Sequence, residues 1–271
     1  MINLENVFRD SLLLREKSPL VHNITNYVAM NAAANALIAA GASPLMSFCK
    51  EEMDEIVRSA DAVVINIGCL DMGQIEAMKA AASAALRYGR PLVLDPVGAG
   101  ASALRLETSL QLIRDYHPSI ISANASEVLS LALRKKFGRG VDATQATQTA
   151  QAAQAAEATA QAIQAAKALA KASGSIVSMS GPVDCITDGD RMESISGGSP
   201  LMARVTAMGC IASAISGAFA AVAPGAFNAA LDARMMMKIC GAKAAERMAS
   251  ADGTGTFACR FIDELSNFGI C

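Results

Sequence analysis

The sequence predicts an α/β fold: a mostly parallel central sheet with helices on both faces and an antiparallel hairpin at one edge. Apolar runs rich in β-branched residues, such as residues 62–68, alternate with alanine-rich segments of helical periodicity. This alternation is typical of parallel strands whose connecting helices cover both faces of the sheet. Hydrophobic residues make up 52% of the 271 residues, but only 4% are aromatic and tryptophan is absent. Because such a composition can fill one core with small aliphatic side chains, we expect a single domain over residues 1–271.

Charge and cysteine content exclude several classes of function. The formal net charge is −2, which gives the chain no basic field for a nucleic acid, so we expect no nucleic-acid partner. The seven cysteines are scattered without a Cys-x-x-Cys spacing, which argues against a disulfide framework or a zinc site and favours the cytoplasm. Charged residues interrupt residues 1–15, and no long uncharged apolar run follows. We therefore expect neither a signal peptide nor a membrane span.

The first part of the chain alternates helices and strands. A first helix is indicated by the apolar spacing of Leu4, Val7 and Phe8, and it is expected to end before Pro19. Gly41 is expected to close the second helix. The predicted strands are residues 19–26, 44–47, 62–68, 91–95 and 119–122, and the predicted helices are residues 4–14, 29–40, a segment from 51, 74–87, 107–115 and a segment after 123–127.

The second part begins with a stretch of biased composition. Residues 144–173 consist mainly of alanine and glutamine, which favours one long solvent-facing helix; a disordered glutamine-rich insert is the alternative. A strand over 175–181 is followed by two runs around Asp188-Gly189 that predict the edge hairpin. The remaining predicted elements are hairpin strands 183–187 and 191–195, a helix after residue 205, two helices within 226–250, a loop over 253–257 and a terminal helix through 265.

Polar residues follow the predicted strands at the edge where ligands bind to open parallel sheets. They include two acids, Asp95 after one strand and Glu127 in an Asn-x-x-Glu turn. Magnesium takes carboxylates together with phosphate oxygens, so two acids beside an anion-binding helix start indicate phosphoryl transfer. Each feature alone is weak, because an Asp-Pro after a strand is usually a turn. The set is Asn26, Met46, Asn66, Gly68, Asp95, Asn124, Glu127 and Ser180.

Residues 205–214 predict a tight loop that leads directly into a buried helix. Small residues dominate, so the first helical N–H groups can be approached closely and offer an anion site. A thiol at Cys210, beside Gly209, is expected to have a lowered pKa in the field of the helix dipole. The alternative interpretation is a small-residue packing helix that carries a buried cysteine.

Several motifs, in order along nearly the whole chain, resemble the hydroxyethylthiazole kinase family, which has a ribokinase-like three-layer αβα fold. The resemblance implies an ATP- and Mg²⁺-dependent kinase that phosphorylates the hydroxyl of 4-methyl-5-(2-hydroxyethyl)thiazole in thiamin salvage. It also implies a homotrimer with active sites between subunits. The motifs are PLVHNITNYVAMN, GASPLM, NIGCL, VLDPVGAGA, NASE, GRGVD, VTAMGC and GTGTF.

The resemblance also implies roles for individual residues. Asp95 and Glu127 resemble the metal-binding acids of the family, and Gly209 and Cys210 resemble its catalytic anion hole. The resemblance places Asn26, Met46, Gly68 and Ala207 at the thiazole, and Ser122, Asn124 and Ser180 at the nucleotide.

Four residues depart from the common pattern of that family. Ala207 and Met208 stand in a loop that is commonly TGTGC or TGAGC, Ser122 stands where many members carry an arginine, and Pro182 stands where a glutamate is common. All four lie on the nucleotide side. Two alternatives therefore stay open: a thiazole-binding homologue with weakened catalysis, and another ribokinase-like enzyme such as a hydroxymethylpyrimidine kinase or a nicotinamide-nucleotide repair dehydratase.

Overall fold

The computed structural model describes residues 4–135 and 148–270. Its strands are β1 (Leu20–Ile24), β2 (Ser43–Met46), β3 (Ala62–Asn66), β4 (Leu92–Asp95), β5 (Ile120–Asn124), β6 (Ile176–Ser180), β7 (Asp184–Thr187) and β8 (Met192–Ile195). Its α-helices are α1 (Leu4–Lys17), α2 (Met30–Ala40), α3 (Met53–Ser59), α4 (Met72–Tyr88), α5 (Ala103–Tyr116), α6 (Ala125–Leu133), α7 (Gln148–Ser173), α8 (Met208–Ala220), α9 (Ala226–Glu246) and α10 (Thr254–Asn267).

One eight-stranded sheet organises these elements, in the order β2-β1-β3-β4-β5-β6-β7-β8. The pairs from β2 to β6 are parallel, whereas β6 with β7 and β7 with β8 are antiparallel. The parallel part therefore directs the carboxyl ends of β1 to β6 to a single edge. This sheet confirms the predicted fold class, including the antiparallel edge hairpin.

Two helical layers bury the two faces of the sheet. Helices α1, α2, α8, α9 and α10 form one apolar core on one face, and α3 to α7 form a second core on the other. Helix α8 packs closely on the sheet because Gly217 has no side chain; a Cβ there would overlap the side chain of Val64. This close approach holds the start of α8 against the carboxyl edge of the central strands.

Local sequence signals explain where several helices begin and end. Asp71 and Ser102 cap α4 and α5 by accepting a hydrogen bond from the backbone three residues later. Gly41 and Gly89 end α2 and α4 in the left-handed conformation that glycine adopts without strain. The predicted closure of α2 by Gly41 is thus confirmed.

Several predicted boundaries were wrong. The two helices expected within residues 226–250 are the single helix α9, because its alanine-rich sequence contains no residue that interrupts helical hydrogen bonding. A loop was expected over residues 253–257. In the structure, however, α10 already begins at Thr254. The loop of the hairpin spans Asp188 to Arg191, longer than the Asp-Gly pair alone.

The long alanine- and glutamine-rich helix is confirmed over Gln148–Ser173, but it does not lie free in solvent. Ala162, Ala166, Leu169 and Ala170 are buried in the core beneath α6 and the sheet. Alanine permits this because its small side chain lets one helix face approach its neighbours. Residues 144–147 and the GRGVD motif lie outside the described residues.

Two further predictions concern cysteines and membrane spans. The six described cysteines are all free thiols. Within residues 4–135 and 148–270, none of the helices combines the length and apolar character needed to cross a bilayer.

Candidate active site

The carboxyl ends of the central strands and the start of α8 enclose a cavity of about 320 Å³. Its lining contains most of the residues that the sequence placed at this edge. They are Asn26, Gly68, Asp95, Ser122, Asn124, Glu127, Ser180, Ala207, Gly209 and Cys210. Residues separated by up to 184 positions in the chain therefore meet at one site.

Asp95 ends β4 and is the most deeply buried acid of this cavity, with 4% of its surface exposed. Its Oδ2 accepts hydrogen bonds from Asn66 Nδ2 at 2.6 Å and from Ser213 Oγ at 2.7 Å. Burial, together with the nearby carboxylate of Glu127, raises the pKa of Asp95 to about 7. Its second oxygen, Oδ1, has no hydrogen-bond partner among the described residues and remains available to the cavity.

Glu127 is held in place by the backbone around it. Asn124 caps α6 and accepts from the Glu127 N–H at 2.9 Å, while Glu127 Oε2 accepts from the Asn124 N–H at 2.9 Å, which is a reciprocal capping box. Its other oxygen accepts from the Gly98 N–H at 2.8 Å. This arrangement ties the glycine-rich loop after β4 to the turn after β5. Burial raises the pKa of Glu127.

The loop before α8 leaves backbone donors free at the cavity. Ala207 is the N-cap residue and has a φ of 69°, in the left-handed region, and no side chain caps the helix. Among the described residues, none accepts a hydrogen bond from the N–H groups of Met208, Gly209 or Cys210. A Cβ at Gly209 would have no heavy atom within 4 Å. The free N–H groups at this helix start agree with the local geometry that the sequence predicted, and such groups can bind an anion.

Cys210 stands in a network with Asn26 and Asn66. Asn26 Nδ2 donates to Asn66 Oδ1 at 2.9 Å and to Cys210 Sγ at 3.3 Å. Burial, with the nearby carboxylate of Asp95, raises the pKa of the Cys210 thiol to about 11. The expectation of a lowered pKa was wrong, because burial and neighbouring acids outweigh the helix dipole at this position. Cys210 is therefore a neutral thiol near pH 7.

Gly68 completes the arrangement around Asn26. A Cβ on Gly68 would lie 2.6 Å from Asn26 Nδ2, so a larger residue would displace that amide. The Gly68 N–H donates to Asn66 Oδ1 at 2.9 Å. A glycine at this point therefore allows the two asparagines and the loop after β3 to pack together.

A buried arginine from α9 lies beneath the cavity. Arg234 Nη2 donates to Ser122 Oγ at 3.0 Å and to the Ser178 carbonyl at 2.9 Å, and Nε donates to Ser178 Oγ at 2.8 Å. Ser122 Oγ also lies 3.1 Å from Ser213 Oγ, which links the arginine network to Asp95. Burial lowers the pKa of Arg234.

A second cavity of about 670 Å³ adjoins the first, and most of its lining surface is apolar. The two cavities share Asn124, Ser180, Gly209 and Arg234. Its other lining residues come from the turn after β6, the segment before α8, and α8 and α9 themselves, and they include Gly181, Pro182, Met202, Met208, Met237 and Lys238. Two adjoining compartments with shared polar residues suit two substrates that exchange a group.

Comparison with known proteins gives a consistent result. Residues 12–270 match the model of the hydroxyethylthiazole kinase family. The chain belongs to the hydroxyethylthiazole kinase family. A hydroxyethylthiazole kinase from Leptospira biflexa is 45% identical over 262 residues, which cover 97% of this chain and 92% of that protein. The solved hydroxyethylthiazole kinase structure from Pyrococcus horikoshii is 35% identical, has a TM-score of 0.84, and covers 97% of this chain and 93% of that one.

A third comparison concerns the fold alone. A ribokinase-like superfamily protein from Enterococcus faecalis is 15% identical with a TM-score of 0.59, covering 92% of this chain and 87% of the other. This likeness confirms the predicted ribokinase-like fold. The class of enzyme, a kinase, follows from membership of the hydroxyethylthiazole kinase family.

Two residues of the predicted set, Asn66 and Met46, lie outside both cavity linings. Asn66 still reaches the site through its hydrogen bonds with Asn26 and Asp95. No such link joins Met46 to the cavities. This residue ends β2, the edge strand of the sheet, and is partly buried against one core. His22, for which the sequence left substrate contact and a structural role equally open, is fully buried, and its Nε2 lies 3.1 Å from the Ser47 carbonyl. Its surroundings are those of a structural residue.

Four residues that line or support the candidate site were not predicted from the sequence: Arg105, Ser213, Arg234 and Lys238. Arg105 binds the carbonyls of Ile67 and Val97 at 2.7 and 2.9 Å and that of Gly68 at 2.9 Å, so it joins two loops of the cavity. None of these residues follows a strand, so strand-end position carried no signal for them. A charged residue within the apolar sequence of α9 is the one signal that could have directed attention to Arg234.

Proposed function

We propose that this chain transfers the γ-phosphate of ATP to the hydroxyl of 4-methyl-5-(2-hydroxyethyl)thiazole in a Mg²⁺-dependent reaction. The observation that carries the proposal is that the carboxyls of Asp95 and Glu127 and the free N–H groups of α8 line one cavity. That cavity adjoins a larger, mostly apolar one. Acids, an anion-binding helix start and space for two small molecules are the parts that phosphoryl transfer requires.

The smaller cavity is proposed to hold the thiazole alcohol. Asn26, Gly68 and Cys210 line it and are joined by the asparagine network. A cavity of about 320 Å³ is of the right order for a single small ring with a short side chain. Ala207 borders the same space. Cys210, as a neutral thiol, is proposed to position the alcohol and line its site.

The larger cavity is proposed to hold ATP. Its apolar lining, which includes Met208 and Met237, suits a purine, and Asn124 and Ser180 lie where it meets the smaller cavity. Ser180 Oγ is 3.4 Å from the Ala123 carbonyl and remains close to the shared boundary. The phosphates would then extend toward Asp95, Ser122 and the start of α8.

The residues at the boundary fit a magnesium ion. Among the described residues, no group of three or more histidine, cysteine or acidic side chains could enclose a metal. Magnesium, however, is commonly held by one or two carboxylates together with water and phosphate oxygens. Asp95 has a free oxygen facing the cavity, and both Glu127 oxygens retain a lone pair beside their backbone donors. When bound there with ATP, the ion would neutralise charge on the phosphates.

The remaining steps belong to the protein's own residues. A new bond forms between the alcohol oxygen and the γ-phosphorus, the bond from that phosphorus to ADP breaks, and the alcohol proton is released. The free N–H groups of Met208, Gly209 and Cys210 stabilise charge that develops on the transferred group. Phosphoryl transfer through a loose transition state needs little help from a base, so a neutral Cys210 is compatible with catalysis.

We also propose a homotrimer whose active sites lie between subunits, working in the cytoplasm. Val28 lines the smaller cavity and yet is 67% exposed, and the neighbouring Tyr27 is 61% exposed. Apolar side chains exposed at the rim of a site favour cover by another chain. Met46, in the edge strand, could reach a thiazole in an adjacent subunit. Free thiols throughout the described residues are compatible with a reducing compartment.

A second candidate is a thiazole-binding protein with weakened catalysis. The observation that favours it is Ala207, which adopts a left-handed conformation that is strained for an alanine, in the loop that should admit phosphate. Under this alternative the thiazole still binds, but transfer is slow.

A comparison of two substrates in separate assays distinguishes these functions. The chain is supplied with ATP and Mg²⁺ and either the thiazole alcohol or a hydroxymethylpyrimidine, and phosphorylated product is measured by mass spectrometry. We expect kcat/KM for the thiazole to be larger by about 100-fold or more, because a site shaped for one ring leaves polar groups unpaired against another. Thermal stabilisation by thiazole without product would support the weakened homologue, and preference for the pyrimidine would contradict the proposal.

A further inference from the structure

We propose that Arg234 binds the phosphate group that is transferred, at the boundary between the two cavities. The inference rests on the proposed use of ATP and deepens it by assigning a catalytic residue on α9. It depends on three properties of this side chain: its burial without an ion pair, its unused donors, and its position as a cation beside two acids.

Arg234 is buried without a direct counter-ion. Only 4% of its surface is exposed, and no acid in residues 4–135 or 148–270 lies within ion-pair distance of its guanidinium. Its hydrogen-bond partners are the hydroxyls of Ser122 and Ser178 and one carbonyl, all of them neutral. A buried, unpaired cation destabilises the folded chain. An anion that binds beside it during turnover would offset that cost.

The guanidinium is held rigidly but keeps donors for a ligand. Nε and Nη2 are anchored on β5 and β6. Nη1 has no hydrogen-bond partner among the described residues and is not sealed away from the cavities, which Arg234 lines on both sides. Because Nε and Nη2 are already held, the planar guanidinium can offer Nη1 to a ligand without losing further side-chain entropy. Such a fixed, planar set of donors suits phosphate oxygens.

Among the residues that the structure describes, Arg234 is the one cationic side chain in the lining of the smaller cavity. The larger cavity has a second cation, Lys238, one helical turn further along α9. That ammonium donates hydrogen bonds to the carbonyls of Gly181 and Pro182 at 2.8 and 3.2 Å and forms an ion pair with the carboxylate of Asp184 at 3.2 Å. Lys238 therefore supports the turn after β6, and Arg234 is left to neutralise charge at the boundary.

The same geometry explains how this chain accommodates Ser122. Ser122 accepts from Arg234 Nη2 at 3.0 Å, so the end of β5 contacts a guanidinium that comes from α9, 112 positions later in the chain. A serine is small enough to leave room for that group. The side chain at position 122 and the guanidinium of Arg234 therefore occupy adjoining parts of one space. An arginine at position 122 would fit only in a chain whose residue 234 has no guanidinium.

Steady-state kinetics of Arg234→Met, which keeps length and removes charge, test the proposal. We expect kcat/KM for ATP to fall by about 100-fold or more, because an arginine that contacts the transferred phosphate commonly has effects of this size or larger. The affinity for the thiazole without nucleotide, measured by calorimetry, should change by less than about threefold, since Arg234 acts on the phosphate side. A folded Arg234→Met variant with kcat/KM for ATP within about threefold of the unaltered chain would overturn the proposal.

Two further variants separate a catalytic role from a structural one. Arg15→Met is the matched control, because Arg15 also binds backbone carbonyls, those of Ala39, Leu265, Ser266 and Phe268, and none of these residues lines either cavity. It should lower stability and leave the kinetics for ATP unchanged. Ser122→Arg combined with Arg234→Met should recover about tenfold or more of the lost kcat/KM by returning a guanidinium to the same space. Equal losses of ATP turnover and thiazole affinity in Arg234→Met, with no recovery in the double variant, would indicate a structural role and overturn the proposal.

A crystal structure of the unaltered chain with Mg²⁺ and the β,γ-imido analogue of ATP needs no folded variant. Nη1 should lie within about 3.2 Å of a phosphate oxygen, whereas a closest distance above about 5 Å would overturn the proposal. This result also separates the inference from the proposed function. If the unaltered chain made no thiazole phosphate, the proposed function would fail, but the contact between Arg234 and the nucleotide would still be decided.

Discussion

This molecule contains two pairs of buried acids, one in the lining of a cavity and one between two helices. Asp95 and Glu127 line the cavity at the carboxyl edge of the sheet, and Asp10 and Asp232 lie between α1 and α9, outside both cavity linings. All four side chains are less than 9% exposed. The pKa of Asp95 and the pKa of Asp232 are both raised to about 7, and burial is the largest cause in each case.

The pairs differ in what surrounds them. Asp95 receives two hydrogen bonds from neutral side chains, and both oxygens of Glu127 receive backbone N–H groups. Asp232 faces the carboxyl of Asp10, which itself binds Arg9 at 2.8 Å, and its Oδ2 is buried with no hydrogen-bond partner. Both pairs therefore include an acid with a raised pKa. Only the pair Asp95 and Glu127 also lines a cavity and receives oriented hydrogen-bond donors on its carboxylates. Perturbed titration alone does not identify function.

The largest expected effect comes from removing charge in the pair at the cavity. Asp95→Asn should keep the hydrogen bonds from Asn66 and Ser213, because the amide oxygen can still accept them. We expect kcat for thiazole phosphorylation to fall by about 1,000-fold, since a metal ligand is lost where transition-state charge develops. Urea unfolding at pH 4, where the folded chain keeps the Asp95 carboxyl protonated and little linkage penalty has developed, should show a change in stability below about 1 kcal/mol.

Asp232→Asn is the matched control for Asp95→Asn. It makes the same chemical change in an equally buried acid, and kcat should stay within about threefold of the unaltered chain. A similar loss of kcat in both variants, or in neither, would contradict the distinction between the two pairs.

The second largest expected effect is a pH-dependent change in stability caused by Asp232. The pKa of Asp232 is about 7 in the folded chain against an ordinary value of 3.8. Between these values the unfolded chain has released the proton that the folded chain retains, so stability falls as the pH rises from about 4 to about 7. Asp232→Asn removes this penalty. We expect it to raise the free energy of unfolding by about 3 kcal/mol at pH 8 and to have little effect at pH 4.

Urea unfolding of both chains between pH 4 and pH 8 measures the difference. A gain in stability that is the same at every pH would show that the unpartnered oxygen of Asp232, and not the titration of the carboxyl, is responsible.

The smallest expected effect concerns backbone strain beside the pair at the cavity. Ala207 has a φ of 69°, and glycine adopts this conformation without strain. Ala207→Gly should stabilise the chain by about 1 kcal/mol, the strain released being partly offset by the freedom of glycine in the unfolded state. Ala214→Gly, the same change within α8, should destabilise it by about 1 kcal/mol or more. Thermal unfolding of both variants provides the measurement, and a change of the same sign in both would contradict the assignment of strain to Ala207.

Local patterns in the sequence determined much of the fold and part of the site. Apolar β-branched runs predicted the strands, and their carboxyl ends predicted that Asp95, Asn124, Glu127 and Ser180 would meet, because parallel strands end at one edge. The small residues after Val205 predicted a helix start with free donors. These inferences succeeded because each depends on a few consecutive residues and on the general geometry of parallel sheets.

The tertiary structure alone decided the remaining properties of the site. Arg234 and Ser213 reach it from the interiors of helices, where spacing along the chain says nothing about which strand they contact. The pKa of Cys210 is raised and not lowered, because burial and the acids Asp95 on β4 and Glu127 on α6 act on it together. Met46 lies outside the cavity because β2 is the edge strand, and sequence order does not reveal strand order. Such contacts and electric fields arise from packing between segments far apart in the chain, so no local pattern encodes them.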